Sequence, residues 1–446
     1  MAEEVGVSRG PSARRCHTDS SPFYGTRSAP GTVSSASRPG AATMQLCLLL
    51  CLALLSPQVT SLHHHHPQAA RKRVRELLVA TTAAPSNREF TFDLFRALVA
   101  DSPNKNIIFS PLSISVTLGM IALAAGSNTK AQILESLQVG REEEVHRVFH
   151  QLLQELSQPR EDLQLSLGNA LFIKPIVHIH DAFLSAVRTL YLADTFPTNF
   201  EDPEVARKQI NDYVAKETKG KIVDLVKSFD GTEVMVMVNY IFFKAKWETS
   251  FDSKNTQKHA FHVTSEKVVR VPMMRREDQY LYLQDRSLGC KVVGVPYQGN
   301  ATAFFILPSE GKMGKLEASL HQETLRKWLK TSTKRKLLLY LPKFSIESSF
   351  KLENVLPKLG IRDIFTSHAD LTPLTNQSNI WVSEMVHKAV VEVDESGTKA
   401  AAATEVTFAF RSALMSSQTI MFNRPFLMFI VENAENILFF GKVTHP

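Results

Sequence analysis

Cysteine is scarce in this chain. Of 446 residues four are cysteine, and three of them, Cys16, Cys47 and Cys51, lie near the start. A mature chain that keeps only Cys290 has no internal disulfide, so its stability rests on a large core rather than on covalent staples. The apolar run near the start is short. Leu46 to Leu55 is a run of ten residues without a charge, about half of what a membrane-spanning helix needs. From Leu62 onward there is no Gly-x-Ser-x-Gly, no His-Glu-x-x-His, no phosphate-cradling glycine loop and no Cys-x-x-Cys, which excludes the enzymes that work through those devices. No repeat period is present. Charge of one sign is not in large excess either: 51 basic against 44 acidic residues give +7, too mild a balance for a nucleic-acid partner.

What is present divides the chain. Residues 1–43 are rich in Ser, Pro, Gly and Arg without apolar period, an upstream extension that is absent if translation starts at Met44. The apolar run, followed by Ser56-Pro57 and small polar residues, makes residues 44–61 a secretory signal peptide. Trimming 1–61 leaves 46 basic and 41 acidic residues and a net charge of +5. Residues 62–85 form a basic tail. Its four histidines, His63 to His66, are sequence neighbours with no fixed tetrahedral set, so no metal site is expected there. In a secretory context Asn300-Ala301-Thr302 and Asn376-Gln377-Ser378 are glycosylation acceptors at Asn300 and Asn376.

Residues 86–446, with 44% hydrophobic composition over the chain, hold the ordered domain. Ser86 and Glu89 have capping-box spacing ahead of Phe92, Phe95, Leu98 and Val99. Ile107 to Ala125 reads as an apolar helix entered through Ser110-Pro111, and residues 142–156 as an amphipathic, acidic one. Val234 to Phe243 is almost continuously apolar, as in a central strand, and is interrupted by Asn239, which needs a partner. Further strands are expected at 292–296, 301–307, 337–344, 389–394, 420–431 and 437–443. Helices in the first half and strands in the second make the domain α+β.

Two segments carry function. In Glu395 to Ser412 a glycine, Gly397, precedes a run of small residues, so little bulk opposes a change of backbone state. At strand period, Thr398, Ala400, Ala402, Thr404, Val406 and Phe408 share one face, while both charges, Lys399 and Glu405, fall on the other. Leu325 to Lys336 reads as a helix with Leu325, Trp328 and Leu329 inward and a basic stripe opposite, formed by Arg326, Lys327, Lys330, Lys334, Arg335 and Lys336. A sulfated polysaccharide such as heparin fits that stripe; a solvated lysine face is the plainer reading.

Several motifs then stand in order: Phe109-Ser110-Pro111-Leu112-Ser113, Asn239-Tyr240-Ile241-Phe242-Phe243-Lys244-Ala245-Lys246-Trp247, Val271-Pro272-Met273-Met274, His387-Lys388-Ala389, Glu395-Ser396-Gly397-Thr398 and Asn423-Arg424-Pro425-Phe426. Together, over roughly residues 86–446, the chain resembles a serpin. The resemblance implies three β-sheets, about nine helices and an exposed reactive-centre loop, here 395–414. It implies a secreted, monomeric suicide inhibitor, not an enzyme, without a cofactor. Its partners would be serine proteases of coagulation, fibrinolysis or reproductive fluids, with heparin or another glycosaminoglycan as modulator. In inhibitory serpins the scissile bond follows the hinge glutamate by about seventeen residues, so counting from Glu395 implies cleavage between Arg411 and Ser412. Arg411 would suit the acidic pocket of trypsin-like proteases, and Phe410 the neighbouring subsite. Gly397, Thr398, Ala400, Ala401, Ala402 and Ala403 would form the hinge, with Ser110, Ser113, Asn239 and His387 in the shutter behind it and Lys343 pairing with Glu395. A merely satisfied polar core cluster is equally compatible with the shutter residues. A non-inhibitory carrier or polyanion-binding serpin remains the alternative function.

Overall fold

The computed structural model describes residues 87–139, 142–396, 417–433 and 436–446. The upstream segments 1–43, 44–61 and 62–85, the hinge residues Gly397, Thr398 and Ala400 to Ala403, Phe410, and the Arg411–Ser412 bond lie outside the described residues.

A short strand and a helix anchor the core. Ile107–Phe109 is β1, not the first turn of a helix as the apolar run suggests. Ser110 then caps helix α2 (Pro111–Ala124) by accepting the Ser113 amide, and Pro111 occupies the first turn, where its missing donor costs nothing. Nearly every residue of α2 is buried, so α2 runs through the molecule rather than over it. Seven more α-helices surround it among the described residues: α1 (Asn87–Asp101), α3 (Ser127–Leu137), α4 (Glu142–Leu156), α5 (Asp181–Tyr191), α6 (Pro203–Glu217), α7 (Met313–Ala318) and α8 (Gln322–Thr331).

The remaining strands are β2 (Leu163–Ile173), β3 (Asp194–Pro197), β4 (Met235–Ala245), β5 (Gln257–His262), β6 (Val268–Asp285), β7 (Cys290–Pro296), β8 (Ala301–Pro308), β9 (Thr333–Pro342), β10 (Phe344–Lys351), β11 (Glu384–Val393), β12 (Gln418–Met421), β13 (Phe426–Glu432) and β14 (Asn436–Val443). One sheet has the order β10-β11-β4-β2-β3. The other runs β1-β14-β13-β8-β7-β6-β9-β12, with β5 also on β6. The long β6 explains how three expected sheets appear as two hydrogen-bonded arrays. Val268 to Met273 pair with β5, Met273 to Tyr282 with β9 and Leu281 to Asp285 with β7, so one strand serves two sheets. The result is α+β.

Apolar clusters lie on both faces of the five-stranded sheet. One face packs Met235, Met237, Leu171 and Met385 against α2 and α5. The other packs Val236, Val238, Tyr240, Val386 and Val390 against α6 and the segment that follows it. Both faces of β4 are therefore covered, which is why its sequence is continuously apolar.

Candidate functional site

β4 and β11 are parallel neighbours, in register from Glu384 opposite Val236 to Val391 opposite Phe243. Every other pairing of this sheet is antiparallel except that of the short edge strand β3. The join between β4 and β11 is its central seam, and β11 leads directly into Glu395 and Ser396.

At the middle of the seam His387 lies opposite Asn239. The Ser110 amide donates to His387 Nε2 at 3.2 Å, which fixes Nε2 as the acceptor and places the proton on Nδ1. Nδ1–H donates to Asn239 Oδ1, so a side-chain bond crosses the seam. Ser113 Oγ stands 2.9 Å from Asn239 Oδ1 and 2.7 Å from its Nδ2, and the Asn239 amide also donates to Asn169 Oδ1 at 2.8 Å. Thr117 Oγ1 donates to the same Asn169 oxygen. His387 is fully buried, and burial alone pulls its pKa down to about 3, so the ring is neutral. The Asn169 Nδ2 group is buried with no acceptor, a polar cost carried by the closed sheet. Ser110, Ser113, Asn239 and His387 are thus one cluster.

Charges fasten the top of the seam. Lys244 of β4 meets Glu392 at 2.9 Å and Asp394 at 2.7 Å on the β11 side. Lys221, from the segment after α6, meets Glu392 at 2.9 Å. Burial works against the charge on Glu392 and Asp394, yet hydrogen bonds from Lys244, joined at Glu392 by Lys221, outweigh it and hold both carboxyls below their ordinary range. Trp247, stacked on Tyr297 at 4.1 Å, donates from Nε1 to the Asp394 carbonyl at 2.7 Å and from its backbone to Ser396 at 3.1 Å. The Phe251 amide donates to the Glu395 carbonyl at 3.2 Å. Lys343 pairs with Glu395 at 2.6 Å, and Thr256 Oγ1 donates to Glu395 at 2.8 Å. The buried Lys388 reaches the Val223 carbonyl at 2.8 Å, tying the segment after α6 across β11.

Sequence reasoning missed Lys244, Asp394, Lys221, Lys388, Asn169 and Thr117. Lys244 and Trp247 stood inside a motif already singled out, and their proximity to Glu392 and Asp394 follows only from the parallel register.

The basic segment departs from its expected shape. α8 ends at Thr331, Ser332 turns extended, and Thr333 begins β9. Lys334, Arg335 and Lys336 therefore lie on a strand, and Lys334 is not a helical neighbour of Lys330. β-branched Thr331 and Thr333 around Ser332 favour the extended state, and pairing with β6 at Tyr280 to Tyr282 fixes it. All six cations are exposed. Arg326 pairs with Glu323, Lys327 with Asp285 and Lys336 with Glu277. Asn300 and Asn376 are exposed. Cys290 is buried, and burial pushes its thiol up to about 12, so it is an inert core group.

A family profile described as "Serpin (serine protease inhibitor)" matches residues 85–446. The chain is a serpin. It is similar to the "Plasma serine protease inhibitor" of Homo sapiens, 67% identical over 408 residues, covering 90% of this chain and 100% of that protein. The protein of the same name from Bos taurus is 65% identical over the same length, with the same coverage of both chains. Among solved structures, human thyroxine-binding globulin complexed with its hormone matches with a TM-score of 0.76 at 38% identity, covering 81% of this chain and 97% of that one. As a serpin the chain belongs with inhibitors rather than enzymes, and no helix among the described residues is long and apolar enough to cross a membrane.

Proposed function

We propose that this serpin is a secreted, glycosylated suicide inhibitor of Arg-specific, trypsin-like serine proteases of coagulation, fibrinolysis or reproductive fluids. The protease serine attacks the Arg411 carbonyl, an ester forms there, and the Ser412 amine leaves. The segment that starts at Ser396 is then free to enter the seam between β4 and β11, carrying the acylated enzyme with it before water cleaves the ester.

The parallel pairing of β4 with β11 is the observation that carries this reading. A segment turning back from the end of β11 runs antiparallel to β11 and therefore also to β4. Its entry exchanges one parallel ladder for two antiparallel ones, the slightly more stable kind. About ten added backbone bonds at ~1 kcal/mol net each would favour insertion by on the order of 10 kcal/mol. The small residues Ala400 to Ala403 suit a strand threaded between formed neighbours, and the Lys399 and Glu405 face suits solvent.

Heparin or a related glycosaminoglycan modulates the reaction by holding inhibitor and enzyme together. Arg326, Lys327, Lys330, Lys334, Arg335 and Lys336 support this by being exposed on adjoining elements. Five residues, 412–416, separate the proposed bond from Ser417, a reach of at most ~18 Å. Ser417 is itself joined through Glu277 to Lys336, so a protease docked on Arg411 sits close to that basic surface.

Mixing the chain with trypsin tests the inhibitory reading. A detergent-stable complex that Arg411→Ala abolishes is the expected result; complete cleavage without a complex would refute it. The second outcome would favour the carrier reading, for which the likeness to the thyroxine complex is the specific observation.

A further inference from the structure

Glu277 stands on the exposed face of β6 among cations and does two things at once. It accepts the Ser417 hydroxyl and meets Lys336 at 3.0 Å. Ser417 leads into β12, which pairs in parallel with β9 from Gln418 opposite Leu337. The carboxylate thus joins the basic surface to the residue at which the chain re-enters the sheet after the loop. The Ser417 hydroxyl first, then Lys336, hold Glu277 below the ordinary range, with Arg275 adding to the same field.

The Lys336–Glu277 pair is well exposed, at 65% and 43% for the two side chains. Such pairs are weak and screened by salt, and a sulfate competes directly with Glu277 for Lys336. When it wins, Glu277 faces the anion and turns away, and Ser417 loses its acceptor.

We infer that Glu277 couples polyanion binding to the foot of the reactive loop: a sulfated chain on Lys336 displaces Glu277 and releases Ser417. This rests on the polyanion reading of the basic cluster. Glu277 is a positioning residue and touches no reacting atom. The coupling is reciprocal, because whatever weakens the Glu277–Ser417 bond must raise polyanion affinity by the same factor.

Ser417→Ala removes the hydroxyl without altering any charge. Binding of a heparin fragment to the full chain is measured by titration at fixed salt for wild type, Ser417→Ala, Glu277→Gln and Lys330→Gln/Lys334→Gln. Ser417→Ala should bind about three- to five-fold more tightly, the ratio expected for one hydrogen bond, and Glu277→Gln more tightly still. A gain of affinity does not arise from misfolding. If Glu277→Gln gains but Ser417→Ala equals wild type, Glu277 is only a local counter-ion and the coupling is overturned. If Lys330→Gln/Lys334→Gln binds like wild type, the polyanion reading itself fails and takes the coupling with it.

Discussion

At the middle of the seam His387 and Asn239 join β11 to β4 through neutral, fully buried groups. At its top Lys244, Glu392 and Asp394 join the same strands through charges whose side chains are still 31%, 21% and 20% exposed. Breaking the middle strands polar groups where water cannot reach them, so it is costly. Breaking the top returns charges to solvent, which recovers much of what is lost. The loop connects at the top, next to the fastening that opens at least cost. Under the proposed mechanism the difference would give insertion a direction, from the charged end toward the neutral cluster.

The largest effect should come from the middle. Asn239→Leu leaves the His387 Nδ1–H, Ser113 Oγ and Asn169 without their shared partner, and should lower stability by roughly 2–4 kcal/mol in denaturant unfolding. A loss under about 1 kcal/mol would mean that the cluster is not what holds the centre closed.

Next comes pH. The folded pKa of His387 is depressed to about 3 against about 6.5 unfolded, so below pH 6.5 the unfolded chain binds a proton that the folded chain refuses. Stability from this group is therefore full above about pH 6.5 and falls as pH drops, by ~1.4 kcal/mol per unit, to about 2–3 kcal/mol by pH 4.5. His387→Gln should flatten that slope between pH 6.5 and 4.5. The carboxylates at the top are depressed too, by their lysines against the effect of burial. Their contribution persists to about pH 4.5 and is lost only as pH falls below it. The two regions should separate as two limbs of one stability-against-pH curve.

Smaller effects belong to the top. Lys244→Ala should cost about 1–2 kcal/mol and hasten spontaneous loss of inhibitory activity on warming, more so at low salt. Lys343→Ala breaks a pair whose lysine is 46% exposed and should cost less than ~1 kcal/mol. If Lys343→Ala destabilised more than Asn239→Leu, the contrast between the regions would be reversed.

The apolar pattern made β4, β7, β8 and β14 readable before any coordinates, because each buries nearly all its residues. β6 was not readable for a physical reason. Val271 and Met273 are buried on one face and Met274 and Tyr280 on the other, since the strand passes from one sheet environment to the next. No single period of two survives that exchange. The run 420–431 divides into β12 and β13 at Asn423 to Pro425, where proline cannot donate to a ladder. Ser110, Ser113, Asn239 and His387 were singled out through family resemblance, and the contact of His387 with Asn239 follows from the parallel register of β4 and β11. The clamp of Lys244, Glu392 and Asp394 stayed hidden because its partners stand about 150 residues apart.

Thermal unfolding before and after a single protease nick at Arg411–Ser412 tests the central claim most directly. If the freed segment enters the seam as a new strand, the added ~10 kcal/mol should raise the midpoint by roughly 10–15 °C. An unchanged midpoint in the nicked chain would mean that the seam between β4 and β11 stays shut, and would contradict the account.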